Sequence, residues 1–229
     1  MNQDYCKANF SMKRYRHTFK YNNTDVLTLT IIFPIIFIPN NQLSQSIINH
    51  QINKQISEYY MYVSNKLYEL AVETYKDSLA NDFPFRQFEA YMEYTITYNQ
   101  NGFLSLYIDK YEYTGGAHGS TIRSSDTWEL CTGAYVPLYC YFKPGTNYRE
   151  LLIKEIISQA DENMNTDIPP YFDNYKDLIM ENFNPSSYYL TPEGMAIYYQ
   201  QYEIAPYATG IVVFIIPYSK IGWYPKCLC

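Results

Sequence analysis

YEYTGGAHGS, residues 111–120, is the stretch on which the fold turns. Aromatic residues run into two adjacent glycines, a small residue, a histidine and a third glycine. Paired glycines at the end of a strand permit positive φ or a close backbone approach. Gly115, Gly116 and Gly119 therefore read as a structural turn, with Ala117 and His118 filling the corner. A phosphate-binding loop needs Lys and then Ser or Thr after its glycines, and a dinucleotide fingerprint needs G-x-G-x-x-G entering a helix. Neither order occurs here. The turn is expected to be a crossover between two halves, a subdomain over residues 10–114 and another over 115–224.

The flanking sequence supports two such halves. Residues 14–21 and 25–33 carry enough alternation for strands, with YNNTD as their turn. Ile48, Ile52, Ile56, Tyr59, Val63, Leu67 and Leu70 then recur at spacings of three and four, the signature of a helix with one apolar face. Asn40 or Asn41 is placed to cap it. Two runs, 88–98 and 103–114, flank NQNG and predict a hairpin. A second hairpin is expected from TIRSSDTWEL and CTGAYVPLYCYF. A helix follows over 147–164, with Leu151, Leu152, Ile156 and Ile157 on one face. The last third alternates strands with a Thr-Pro-Glu-Gly turn. Strands and helices are segregated, so the predicted class is α+β, each subdomain an antiparallel sheet packed against a helix.

Composition narrows the functional classes. The chain has 229 residues and a formal charge of −6, which disfavours nucleic acid or an anionic membrane surface as the main partner. Lys13, Arg14, Arg16 and His17 form one short basic cluster and do not reverse that balance. The apolar run at 27–39 is shorter than the ~20 residues a membrane helix needs, and two prolines interrupt it. It reads as a buried strand. Residues 1–19 lack the apolar segment of a secretory signal. Tyrosine is abundant, at 28 residues. Such residues suit half-buried strand positions, and they also make sticky recognition faces. Of the five cysteines, Cys131 and Cys140 could face each other across a strand pair, and Cys227 and Cys229 form a C-x-C at the end. Neither pair is decided by spacing.

His118 is the strongest single candidate for chemistry. His17 lies in the basic cluster, and His50 on the polar side of the helix. Glu112, Asp126 and Glu203 are possible partners for His118, and a His–carboxylate pair could work as acid and base or hold half a metal site. Glu203 lies among apolar and aromatic residues, which would raise its pKa. The plainer reading is that His118 and Glu203 satisfy backbone groups at a corner. No nucleophile elbow and no H-E-x-x-H is present. No cofactor and no metal is expected.

VLTLTIIFPIIFIPNNQLSQSIINHQI, together with YEYTGGAHGS, WELCTGAYVPLYCYF and YYLTPEGMAIYYQQYEIAPYATGIVVFIIPYSKI, resembles a two-part extracytoplasmic domain of unknown function. The resemblance covers about residues 15–222. That pair forms the extracellular region of the lysozyme-responsive anti-sigma-V factor and the non-catalytic N-terminal region of some peptidoglycan deacetylases in Firmicutes. It implies a non-catalytic binding or sensing module of the cell envelope. The partner would be a cell-wall-related protein such as lysozyme, or a glycan. Tyr113, His118, Glu203 and Tyr207 would be contact residues. The resemblance also implies an extracytoplasmic location, although the sequence shows neither export signal nor membrane span, and no sigma-binding segment. Two alternatives remain from the residues. One is a small cell-wall or glycan hydrolase using His118 with Glu203 or Asp126. The other is a spore- or envelope-associated structural protein, suggested by the tyrosines and terminal cysteines.

Overall fold

The computed structural model describes residues 6–165 and 170–226. It is α+β, with a five-stranded and a three-stranded sheet. The first sheet has the order β1 (Asn9–Tyr21), β2 (Thr24–Phe37), β3 (Phe88–Gln100), β4 (Phe103–Tyr113) and β5 (Ser120–Glu129). The second has the order β6 (Tyr188–Leu190), β7 (Gly194–Tyr199) and β8 (Val212–Pro217). The second sheet is antiparallel throughout. The first is mixed, because β2 and β3 run parallel, whereas an antiparallel sheet was expected. The helical connection between those two strands is the reason: it returns the chain to the same end of the sheet.

That connection is α1 (Gln42–Tyr62), a π-helical turn at Val63–Leu67, and α2 (Tyr68–Ala80). Asn41 caps α1 by accepting the Ser44 N–H. Ile48, Ile52, Tyr59, Val63 and Leu67 are buried, as their spacing predicts. Leu70 is instead exposed, and Ala71 and Val72 are buried. The π turn inserts one extra residue, so the apolar face moves on by one position. The helices cover the sheet face formed by Leu27, Leu29, Ala90, Met92, Leu104 and Leu106.

Pro34 lies inside β2 without breaking it. The backbone of Ile36 is bonded by the Asn49 side chain, N–H to Oδ1 and C=O to Nδ2. With a period of two, the position of the missing Pro34 N–H points to that same side, away from β1. The prolyl nitrogen therefore costs no bond to β1.

The glycine motif is not the crossover between the two sheets. Glu112 pairs with Ser120 across it, so it joins β4 to β5 within the first sheet. A split at 114/115 would separate those two neighbouring strands. The passage to the second sheet comes later, through 130–147. The expected strand in CTGAYVPLYCYF reduces to one bridge, Trp128 to Tyr135, and a 3₁₀ turn at Leu138–Tyr141. Pro137 has no N–H with which to continue a ladder. Cys140 is accordingly an exposed free thiol, and the Cys131–Cys140 pairing does not form. Cys6 and Cys131 are each disulfide-bonded. The Cys227–Cys229 pairing lies outside the described residues.

The helix α3 (Tyr148–Met164) packs Leu152, Ile156 and Ala160 against Phe214 and Ile216 of β8 and their neighbours. The other face of the small sheet carries Tyr189, Ala196 and Tyr198, which meet Tyr107 of β4. The short helices α4 (Tyr175–Glu181) and α5 (Tyr218–Ile221) complete the second core.

The three glycines of the motif differ in what they tolerate. A Cβ on Gly119 would sit 2.4 Å from the Tyr111 ring and 2.6 Å from the Glu112 carbonyl oxygen. At Gly116 nothing lies nearer than 3.9 Å. Gly119→Ala should therefore destabilise the protein by at least about 2 kcal/mol in denaturant unfolding, and Gly116→Ala by less than about 0.5 kcal/mol. Equal effects would show that the close packing at Gly119 does not matter.

Candidate functional site

The corner of the motif is held by its own aromatic residues. Tyr113 Oη donates to the Gly116 carbonyl at 3.0 Å, and Arg86 donates to the same oxygen at 3.1 Å. The His118 ring stacks on Tyr207 with centroids 3.9 Å apart. Tyr207 Oη donates to the Gly119 carbonyl at 2.8 Å, which ties the second half to the turn. Glu203 lies beyond that contact, in the loop after β7. Its carboxylate accepts the Gln200 N–H at 2.6 Å, and burial raises its pKa. Among the described residues no hydrogen bond or ion pair joins His118 to Glu112, Asp126 or Glu203. Tyr113, His118, Glu203 and Tyr207 instead brace a turn and a loop.

Asp126 belongs to a different place. Even-numbered residues of β5 face α1, and odd-numbered residues face the second sheet. Asp126 thus points at the helix, where Gln55 Nε2 donates to its Oδ2 at 2.7 Å. Gln55 Oε1 in turn accepts from Tyr94 Oη at 3.1 Å. Asp126 makes no salt bridge among the described residues. Burial raises its pKa above the ordinary 3.8, and neither the Gln55 bond nor the nearby Lys110 charge offsets this. Tyr94 and Tyr135 are pushed up as well, first by burial and then by the Asp126 charge.

A cleft of about 480 Å³ opens at this carboxylate. Gln51 and Gln55 of α1 form one wall, Asp126 and Trp128 of β5 the other, and Tyr135 lies across the end. The end is built by the loop 131–134. Asn41 Nδ2 donates to the Cys131 carbonyl at 2.7 Å, drawing that loop onto the start of α1. Gly133 has φ +73°, and a Cβ there would lie 3.0 Å from Ser44 Cα, so only glycine lets the loop settle. The cleft combines a half-buried anionic acceptor, two carboxamides, and aromatic surface from exposed Tyr135 and buried Trp128. Such a set can hydrogen-bond neighbouring hydroxyl or amide groups while a ring lies against apolar C–H surface. Asp126 is the only carboxylate among its described lining residues. The paired carboxylates of a glycosidase are therefore not assembled there. The sequence carried a signal for this site in the even-residue parity of Asp126 and Trp128 within β5, and in Gln51 and Gln55 one turn apart on α1.

Two family models match the chain. "Deacetylase PdaC" matches residues 20–121, and "Protein of unknown function (DUF3298)" matches residues 142–219. The first covers α1, α2 and most of the large sheet; the second covers α3 and the small sheet. A DUF3298 family member from Bacteroides fragilis is similar in structure, with a TM-score of 0.64 at 21% identity, over 96% of this chain and 94% of that one. A DUF3298 family protein from Pseudomonas aeruginosa has a TM-score of 0.59 at 16% identity, over the same shares. At such identities the likeness concerns the fold. No curated protein matches the chain.

The burial of Asp126 has a consequence for stability. Its folded-state pKa is raised, so the folded protein holds this proton more tightly than the unfolded chain. The contribution of the site to stability is greatest below about 3.8, falls as pH rises through the raised value, and stays low above it. Asp126→Asn keeps an acceptor for Gln55 and removes the charge. It should raise the melting temperature at pH 7 by about 2–4 °C, corresponding to roughly 1 kcal/mol, and not at pH 3. Differential scanning calorimetry at the two pH values tests this, and a lower melting temperature at pH 7 would refute it.

Proposed function

We propose that this protein is a non-catalytic binding module for a cell-wall-related ligand, and that the ligand is held in the cleft between α1 and β5. One observation carries the reading: Asp126 is a half-buried carboxylate with no ion-pair partner among the described residues, facing an open cleft beside carboxamides and aromatic rings. Buried charges without an ionic partner are costly and concentrate where a ligand is bound. The match to a deacetylase family's model over the large sheet supports the cell-wall connection. The disulfide-bonded state of Cys6 and Cys131 fits an oxidising, extracytoplasmic compartment.

The hydrolytic alternative needs His118 to converge with Glu203 or Asp126. Asp126 lies on the helix-covered face of β5, and Glu203 caps a backbone turn in the second half. The ligand contacts are therefore assigned to the cleft and not to the glycine corner. A protein ligand such as lysozyme and a glycan remain distinguishable by direct titration.

Calorimetric titration with purified muropeptides and with lysozyme checks this. Binding of one of them should weaken about tenfold in Asp126→Asn and in Tyr135→Ala, and stay within about twofold in His118→Ala. Loss of binding in His118→Ala with none in Asp126→Asn would move the site to the glycine corner. No binding of either would reject the reading.

A further inference from the structure

A second cavity continues the first along the same helix. It measures about 350 Å³ and is lined by Tyr59 and Tyr62 of α1, Lys110 and Glu112 of β4, and Ile122 of β5. The helical residues of the two cavities, from Ile47 through Gln51, Gln55 and Tyr59 to Tyr62, recur at spacings of four and three and form one stripe. The β5 residues of both are even-numbered and share one strand face. From Ile47 to Tyr62 the stripe runs about 22 Å. The two cavities are thus successive stations on one groove, and α1 gives way to the π turn where the groove ends.

The second station holds a buried hydroxyl at a shared acceptor. Tyr59 is 4% exposed, and its hydroxyl faces the Glu112 carboxylate without a hydrogen bond of ordinary geometry among the described residues. That carboxylate already accepts from Tyr62 Oη at 3.0 Å. A buried hydroxyl without a well-formed bond carries a cost that a ligand group can recover. Tyr62 and Ile122 add exposed apolar surface beside it, at 40% and 64%.

Resting on the reading above, we propose that this groove has two subsites and takes an extended, uncharged oligosaccharide, with the second subsite built around Tyr59, Tyr62 and Ile122. The charges argue against a polyanion, since Asp126, Glu58 and Glu112 line the groove against a single lysine. An apolar helix would bury the Asp126 carboxylate with no more than the Gln55 bond to hold its charge. An extended peptide binds by pairing with a free strand edge. The outer edge of β5 is occupied instead, because Gln200 and Gln201 bond the backbone of Arg123 and Thr121. A chain of hydroxyl- and amide-bearing rings meets each condition.

The test uses β-1,4-linked N-acetylglucosamine oligomers of two, four and six units, titrated into the full chain. Affinity should rise about tenfold or more from the shortest to the longest. Tyr59→Phe should remove most of that rise, leave the shortest oligomer unaffected, and leave the melting temperature unchanged or higher. Ile122→Ser should act the same way on affinity. Equal affinity for all lengths, lost in Asp126→Asn, would overturn the second subsite and keep the proposed function. Failure of every oligomer to bind, with muropeptide or lysozyme binding retained, would overturn the oligosaccharide assignment. Failure of all these ligands would sink both readings.

Discussion

The outer edge of β5 is the constraint from which the arrangement of the two halves follows. The last strand of a sheet presents a row of backbone N–H and C=O groups with no neighbour, and these must be bonded or hydrated. Here the second half bonds them with side chains. Gln200 accepts the Arg123 N–H at 2.9 Å and donates to the Arg123 carbonyl at 2.7 Å, and Gln201 accepts the Thr121 N–H at 2.8 Å. One glutamine amide thereby mimics a strand residue. The small sheet is positioned by these bonds, since its loop after β7 can be in only one place when both glutamines reach β5.

The odd-numbered face of β4 and β5 then becomes an interface, and its polarity follows. Ser105 and Thr127 hydroxyls lie 2.6 Å apart, and Ser105 Oγ accepts the Leu190 N–H at 2.9 Å. Ser125 donates to the Tyr188 carbonyl. Small hydroxyls bring the sheets close and satisfy the short strand β6, which lacks a partner on that side. Arg123 is held by both Asp109 oxygens, at 2.8 and 2.7 Å, and lies 3.7 Å over the Tyr107 ring. Its charge is therefore paired and covered as the halves close. With one face and the edge of β5 committed to this seam, only the even-numbered face is left to form a groove with α1.

The sequence made some of this plain and hid the rest for physical reasons. Local signals worked: the i, i+3, i+4 spacing of Ile48 to Leu67, the Asn41 cap, NQNG, and the Thr191–Gly194 turn are all settled by neighbours in the chain. Long-range pairing did not show. Nothing local says that β2 pairs parallel with β3, or that the strand after the glycine motif turns back onto β4. Glycines that permit a bend look the same at a hairpin as at a domain crossover. Leu70 was misread because a π turn has no compositional mark. Of the site candidates, Tyr113 and His118 come from the glycine motif, and Glu203 and Tyr207 from the loop after β7; Tyr113 and Tyr207 bond carbonyls of the motif, and Glu203 bonds Gln200 in its own loop. Asp126 was visible in the sequence only as a possible partner for His118, because what distinguishes it is the helix that covers it.

A purely architectural role for Asp126 is hard to sustain on energetic grounds. Its one hydrogen bond, from Gln55, needs a neutral acceptor and no charge. The polar groups that β5 buries, Ser125 and Thr127, are neutral hydroxyls, and they bond their partners without the cost of desolvating an ion. The charge of Arg123 on the other face of β5 is matched by Asp109, whereas Asp126 has no ion pair among the described residues where the cleft opens. On the opposite wall, further along α1, the buried Tyr59 hydroxyl faces the Glu112 carboxylate that Tyr62 already occupies. Both groups border open volume, Asp126 from the strand wall and Tyr59 from the helix wall, which is where the proposed polar ligand would reach them.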